Sequence, residues 1–339
     1  MNMFTRATAA ALTLAVSTGL SAPVAQAEEG SYILATASTG GTYYPVGVAL
    51  ATLVKVKLQP TEGIGMSAIN SAGSGENVRL LRENEAQFGI LQGLYGHYAA
   101  TGTGPLESSG VQENLRSVTM LWQNVEHFVL ASDKAETGTV ADMVALKGDS
   151  MALGTQNSGT IGSNAALMAG LGVDIYTDYE LVHAGYGPSA EALQNGQVSG
   201  ISTPAGVPVG AVSKLLASAG DKVTLLNFTP EQRAAADAGR ELWTEYLIPA
   251  GTYPGQAEDV TTIAQPNFLA TNADVPEENI YLITKAIYEN LAFLQAIHPA
   301  TKAMALEKAI SGLPLPLHPG AARYYQEAGV EIPERLIAK

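Results

Sequence analysis

Three short turns carry most of the polar chemistry of this chain. Ser38-Thr39-Gly40-Gly41-Thr42, Ser71-Ala72-Gly73-Ser74-Gly75 and Asn157-Ser158-Gly159-Thr160 each join glycines to hydroxyl side chains just ahead of a helical pattern. A helix N-terminus leaves its first amides unpaired and carries partial positive charge, so it can hold an anion without lysine or arginine. Glycines let the backbone come close to a ligand, and serine and threonine hydroxyls are expected to add donors. No lysine or arginine lies within the three turns; Arg79 and Arg82 come one turn or more into the following helix, where surface pairing is the expected role.

Other chemistries lack their residues. Gly73-Ser74-Gly75 has no glycine two places before the serine, so it is not a nucleophile elbow. Gly-Lys never occurs, which removes a phosphate-binding P-loop. Gly63-Ile64-Gly65-Met66-Ser67-Ala68 fits the dinucleotide pattern by letter but precedes a strand rather than a helix. His97, His127, His183, His298 and His318 are scattered, and the acids show no paired or metal-ligating spacing. With no cysteine, thiol nucleophiles, disulfides and cysteine-bound metals are excluded. A binding protein without catalytic residues, metal or cofactor is the expectation.

The turns must be held by alternating elements. Tyr32-Ile33-Leu34-Ala35-Thr36 reads as a buried strand, followed after the first turn by a helix through Val46, Leu50 and Leu53. A strand over residues 66–70 leads to the second turn, where Ser74 is expected to cap the next helix. Alternating Ala86, Phe88 and Ile90 make a strand ending near Gln92. The rhythm repeats with strands over 150–153, 179–182, 198–201 and 223–228 and helices over 160–169, 189–195 and 209–217. Pro276 opens a long helix with apolar residues at Ile280, Ile283, Ile287, Leu291 and Leu294, and helical pieces are expected over 301–310 and 319–328. This is α/β architecture in two halves. His127-Phe128-Val129-Leu130 and Asn267-Phe268-Leu269-Ala270 read as paired crossings between them.

The composition is globular, with 46 % apolar residues over 339 positions. Its 18 basic against 32 acidic side chains argue against nucleic acid and anionic membranes as partners. Arg6, the apolar stretch over 7–20 and Ala25-Gln26-Ala27 read as a cleavable secretory signal over residues 1–27, which places the mature chain in the periplasm. Removing Arg6 leaves 17 basic residues, a net charge of −15, and no later stretch is long enough to insert in a membrane.

Five segments in order resemble the TAXI family, the extracytoplasmic solute-binding subunits of TRAP transporters. They are Ser38-Thr39-Gly40-Gly41-Thr42-Tyr43-Tyr44-Pro45-Val46-Gly47, then Gly73-Ser74-Gly75-Glu76-Asn77-Val78-Arg79-Leu80-Leu81 with Phe88-Gly89-Ile90-Leu91-Gln92, then Ser158-Gly159-Thr160, Ile248-Pro249-Ala250-Gly251-Thr252-Tyr253-Pro254-Gly255-Gln256, and Gly312-Leu313-Pro314-Leu315-Pro316-Leu317-His318-Pro319-Gly320-Ala321. The resemblance implies a type II periplasmic-binding-protein fold, with lobe 1 over 28–128, lobe 2 over 129–268 and a return to lobe 1 over 269–339. It implies a small organic anion as ligand, such as glutamate, glutamine, 2-oxoglutarate or another dicarboxylate. The implied partner is a two-subunit TRAP membrane permease driven by an ion gradient. Carried over, the ligand site comprises Thr39, Gly40, Thr42, Tyr43, Gly73, Ser74, Gln92, Ser158, Gly159 and Thr160, with Tyr253 packing a hinge. The family commonly has Asp two residues after the strand-end Gln; here Leu94 stands there. An apolar wall at Leu94 would favour acids without an amine. An enzyme or a sensory receptor on the same fold are the alternatives; ligand turnover would mark the first, and absence of a neighbouring permease gene the second.

Overall fold

A computed structural model describes residues 29–338. The signal expected over 1–27 lies outside the described residues. The chain begins with β1 (Gly30–Ala35), α1 (Tyr43–Glu62), β2 (Ile64–Ile69), α2 (Ser74–Arg82), β3 (Phe88–Gln92), α3 (Gly93–Thr101) and β4 (Leu115–Val125). It continues with β5 (Phe128–Ala131), α4 (Val140–Ala145), β6 (Ser150–Ala152), α5 (Gly159–Gly170), α6 (Ile175–Asp178), β7 (Glu180–Leu181), α7 (Tyr186–Gln194), β8 (Gly200–Ser202), α8 (Gly210–Ala219), β9 (Val223–Leu225) and α9 (Pro230–Asp237). It closes with β10 (Thr244–Ile248), β11 (Val260–Asn272), α10 (Glu277–Glu289), α11 (Leu291–Ile297) and α12 (Pro319–Glu327).

Two sheets result. The first runs β10-β11-β3-β1-β2, with β4 on the other edge of β11; the second runs β7-β6-β8-β5-β9. β1 pairs in parallel with β2 and β3, and β6 in parallel with β7 and β8, each reached by a helical crossover. The parallel strands end where the turns begin, so ligand-facing turns gather on one side of each sheet.

β4 and β11 are the crossings. They pair antiparallel from Leu115 with Asn272 to Val125 with Ala264. One core holds Trp122 and Phe268 and the residues beyond them toward both ends of the chain. The others hold Val125, Phe128, Ile263 and Ala264. Both strands therefore change cores at the same height, where the polar side chains of Gln123, Asn124 and Gln265 interrupt the apolar run. Residues 127–130 do not pair with 267–270 as expected: β5 lies between β8 and β9, and β11 pairs with β4 and β3 instead. Phe128, Val129 and Leu130 are apolar because β5 is a central strand buried on both faces.

Other departures are local. The expected helix over 301–310 is two short 3-10 pieces, and the Ala309 carbonyl accepts from Met120 N–H in β4 rather than from its own helix. The apolar stripe after Pro276 is split at Asn290 into α10 and α11. Gly73, not Ser74, is the N-cap of α2, at a φ of 119° that only glycine adopts readily.

The halves are closed on each other. Thr42 Oγ1 donates to Gly206 O at 2.9 Å, Glu76 N–H to Asn157 O at 2.9 Å, Gln92 Nε2 to Gly159 O at 2.8 Å and Tyr95 O–H to Ser158 O at 3.2 Å. Ala211 N–H reaches Gly40 O at 3.3 Å. At about 1 kcal/mol net each, these bonds hold the closed form by a few kcal/mol.

The polar belt also contains two buried titratable groups. His127 Nδ1 meets Val125 O at 2.8 Å, and its Nε2 meets Tyr253 O–H at 2.7 Å, while Tyr253 Oη accepts from Val209 N–H at 2.9 Å. Only a neutral imidazole protonated on Nδ1 satisfies all three, and burial holds the His127 pKa down to about 4. Tyr253 is thus buried and lies outside the cavity wall. Glu126 is 1 % exposed; Trp243 Nε1 donates to one carboxylate oxygen at 3.3 Å and the other finds no partner. Burial pushes its pKa up to about 8, against the pull of the Trp243 hydrogen bond.

Two outcomes are expected. At Gly75 an added Cβ would lie 2.4 Å from Asn157 O across the cleft and 3.1 Å from Tyr95 Cε1. Alanine is otherwise the better helix former by about 1 kcal/mol. Gly75→Ala should therefore spread the halves, giving a larger radius of gyration by small-angle scattering than the parent protein. Identical scattering would show that the closed contact tolerates the methyl group. The second outcome concerns pH. Glu126 has a folded pKa above its ordinary value near 4.5, so its contribution is fully present below that and is lost as pH rises through about 8. Glu126→Gln should melt at a higher temperature than the parent at pH 8, with the gap closing toward pH 4.5, at up to about 1.4 kcal/mol per pH unit. A gap independent of pH contradicts the buried, protonated carboxyl.

Candidate functional site

The turns enclose one cavity between the halves. It measures about 40 Å³, against roughly 10–15 Å³ for one water by the same measure. In the closed form it holds only a few heavy atoms, and a larger solute requires the halves to part.

Four helices aim their N-termini at this space. The N-cap and first residue of each line it: Thr42 and Tyr43 for α1, Gly73 and Ser74 for α2, Ser158 and Gly159 for α5, and Gly185 and Tyr186 for α7. First-turn amides have no intrahelical acceptor. Ala72 N–H is taken by Glu76 and Glu76 N–H by Asn157 O, but Ser74, Gly75, Gly159 and Thr160 N–H are bonded to no protein acceptor among the described residues. Each helix end is equivalent to roughly half a positive charge, so the four together make the cavity electropositive. No Asp, Glu, Lys, Arg or His lines it.

The hydroxyls do not serve as expected. Ser158 Oγ donates to Thr155 O and accepts from Ile161 N–H, as the cap of α5. Tyr186 O–H donates to Pro204 O at 2.6 Å, so Thr160 Oγ1, 2.9 Å away, must donate to Tyr186. Thr42 donates to Gly206 O, and Tyr43 O–H to Asn267 Oδ1. Burial raises the pKa of Tyr43 and Tyr186, so both stay neutral. The protons of Thr42, Tyr43, Ser158, Thr160 and Tyr186 are therefore spent on the protein. Backbone amides and the hydroxyls of Ser38 and Ser74, which accept from Gly40 N–H and Gln92 N–H, are the donors left to a ligand, and the other five hydroxyls offer lone pairs.

Of the residues named from sequence, Thr42, Tyr43, Gly73, Ser74, Gln92, Ser158, Gly159 and Thr160 come together in the cavity wall. Thr39 is exposed at the tip of its turn, outside the wall. Gly40 also lies outside it, packed against the backbone of Gly187 and bonded to Ala211. Leu94 is corrected more substantially. Its side chain is fully buried in the core that contains Phe128 and Trp243, and only its amide is polar-bonded, to Gln265 Oε1 at 2.8 Å. Gln92 ends β3 and Gly93 begins α3, so strand alternation stops and Leu94 turns away from the cleft. It offers no apolar wall to a ligand. Arg79 pairs at the surface with Glu76, Glu83 and Glu85.

Two groups went unread. Gly185-Tyr186-Gly187-Pro188-Ser189 has the same glycine-rich opening as the other turns, but a helix start placed at Ser189 hid it. Asn124, with Gln123, follows the apolar run Met120-Leu121-Trp122 just before Val125 near the end of β4, and that contrast is its signal. Among the described residues no group of His, Asp or Glu could hold a metal ion, and no helix is long and apolar enough to cross a membrane.

Similar folds are known. The structure of the periplasmic binding protein BugD matches with a TM-score of 0.52 at 14 % identity, covering 89 % of this chain and 98 % of that one. PhnD1 from Prochlorococcus marinus, solved with methylphosphonate, matches with a TM-score of 0.51 at 12 % identity, covering 80 % and 90 %. A protein from Bordetella bronchiseptica matches with a TM-score of 0.52 at 14 % identity, covering 90 % and 85 %. At these identities the likeness is one of fold, and the two-sheet α/β architecture matches the periplasmic-binding-protein fold. The sequence itself matches the NMT1-like family over residues 34–329, which is most of its length, and the chain belongs to that family.

Proposed function

We propose that this chain is an extracytoplasmic solute-binding protein that captures a small organic anion between two lobes and hands it to a membrane permease. The observation that carries this reading is the convergence of four helix N-termini on an inter-lobe cavity with no charged side chain in its wall. That arrangement suits an anion and offers no acid–base pair for turnover, which supports a receptor over an enzyme. Arg6, the apolar stretch over 7–20 and Ala25-Gln26-Ala27, read as a cleavable signal, support delivery to the periplasm. The five segments quoted above support the finer reading, a TAXI-type subunit serving an ion-gradient-driven TRAP permease. In that reading lobe 1 is residues 28–128 and 269–339, lobe 2 is 129–268, and the ligand is a glutamate-like acid, 2-oxoglutarate or another dicarboxylate.

Ser38 lines the cavity and offers the test. Calorimetry with a panel of small carboxylates and their neutral amides should find binding only among the carboxylates. Ser38→Asp should weaken that binding at least tenfold, about 1.4 kcal/mol, while Ser38→Asn leaves it within about threefold. Amides that bind as well as their acids would sink the anion reading.

A further inference from the structure

One cavity-lining group has an orientation that its neighbours dictate. The Gly159 carbonyl needs a donor, and Gln92 Nε2 supplies it at 2.8 Å. Gln92 must then present its Oε1 on the other side, and Asn124 Nδ2 donates to it at 3.2 Å. An amide whose nitrogen is so fixed has its oxygen fixed as well. Asn124 Oδ1 is left as an acceptor without a partner, on a side chain only 2 % exposed that lines the cavity. An orphaned buried acceptor is destabilising, and a donor on the ligand would recover that cost. Thr160 and Tyr186 cannot supply that donor, because their protons go to Tyr186 and Pro204.

We propose that Asn124 selects ligands bearing a hydroxyl or amino donor beside the carboxylate. This rests on the anion reading above and narrows it. The cavity of about 40 Å³ keeps the donor and the anionic group within a few ångströms of each other. An α-hydroxy or α-amino acid meets that demand. An unsubstituted acid leaves Asn124 Oδ1 without a donor and a 2-oxo acid sets oxygen lone pairs against it, so the 2-oxo and unsubstituted acids expected from Leu94 to bind at least as well as glutamate should bind more weakly.

Matched pairs test it: glycolate with acetate, L-lactate with propionate, L-malate with succinate, and L-glutamate with glutarate. By calorimetry on the intact mature protein, the donor-bearing member should bind at least tenfold tighter in every pair that binds. Asn124→Leu should bring the two members of a pair to within about threefold. Carboxylates that bind with equal affinity across pairs overturn the role of Asn124 and leave the anion reading standing. A panel in which no carboxylate binds overturns both. Should Asn124→Leu fail to fold, as circular dichroism would show, the pairs measured on the parent protein decide alone.

Discussion

The carbonyl of Gly159, buried against the opposite half of the molecule, has to be given a hydrogen-bond donor. Gln92 provides it from the end of β3, and much of the site follows. The bond ties the end of a strand in the first sheet to the start of a helix beside the second. It fixes the Gln92 amide and, through it, Asn124. Ser74 Oγ accepts from Gln92 N–H, which places the start of α2 against the same residue. One residue thus joins α2 through its backbone amide and α5 and β4 through its side chain, and the helix ends are held in register around the cavity rather than merely near it. A buried polar network of this kind is stable only when nearly every member is satisfied.

Charge is handled by separation. The chain carries a formal −14, and several of its cations pair with acids at the surface, as Arg79 does with Glu83 and Arg323 with Glu278. Exposed pairs contribute little to stability. Inside, the positive potential comes from oriented peptide dipoles that carry no net charge. A net acidic exterior gives an anion no long-range attraction, so the field acts only within the cleft, where low dielectric strengthens it. Screening by salt acts on the surface pairs far more than on the buried helix ends.

Much of this was legible in sequence because turn chemistry is local. Glycines with hydroxyls ahead of a helical pattern marked the starts of α1, α2 and α5 without any tertiary information. What failed depended on where a neighbour sits. Leu94 was counted from Gln92 along the chain, but a strand-to-helix joint lies between them and reverses the direction of the side chain. The hydroxyls were read as donors because each type can donate; that their protons are already spent depends on Thr155, Pro204 and Gly206, whose proximity no spacing reveals. Residues 127–130 were apolar enough for a crossing and equally so for the central strand they form. The orientation of Asn124 rests on two contacts, one of them with a residue 32 positions away, and is visible only in three dimensions.

The tightness of the closed cleft has a kinetic meaning. With about 40 Å³ between the halves and protein-to-protein bonds across the rim, a solute of several heavy atoms has too little room in the site as it stands. Entry waits for the halves to separate, and the fraction of molecules that are open scales the apparent affinity. The encounter is then gated by a first-order motion of the protein before it becomes a second-order collision with the solute. The same rim bonds that shelter a captured molecule set how often the next one is admitted.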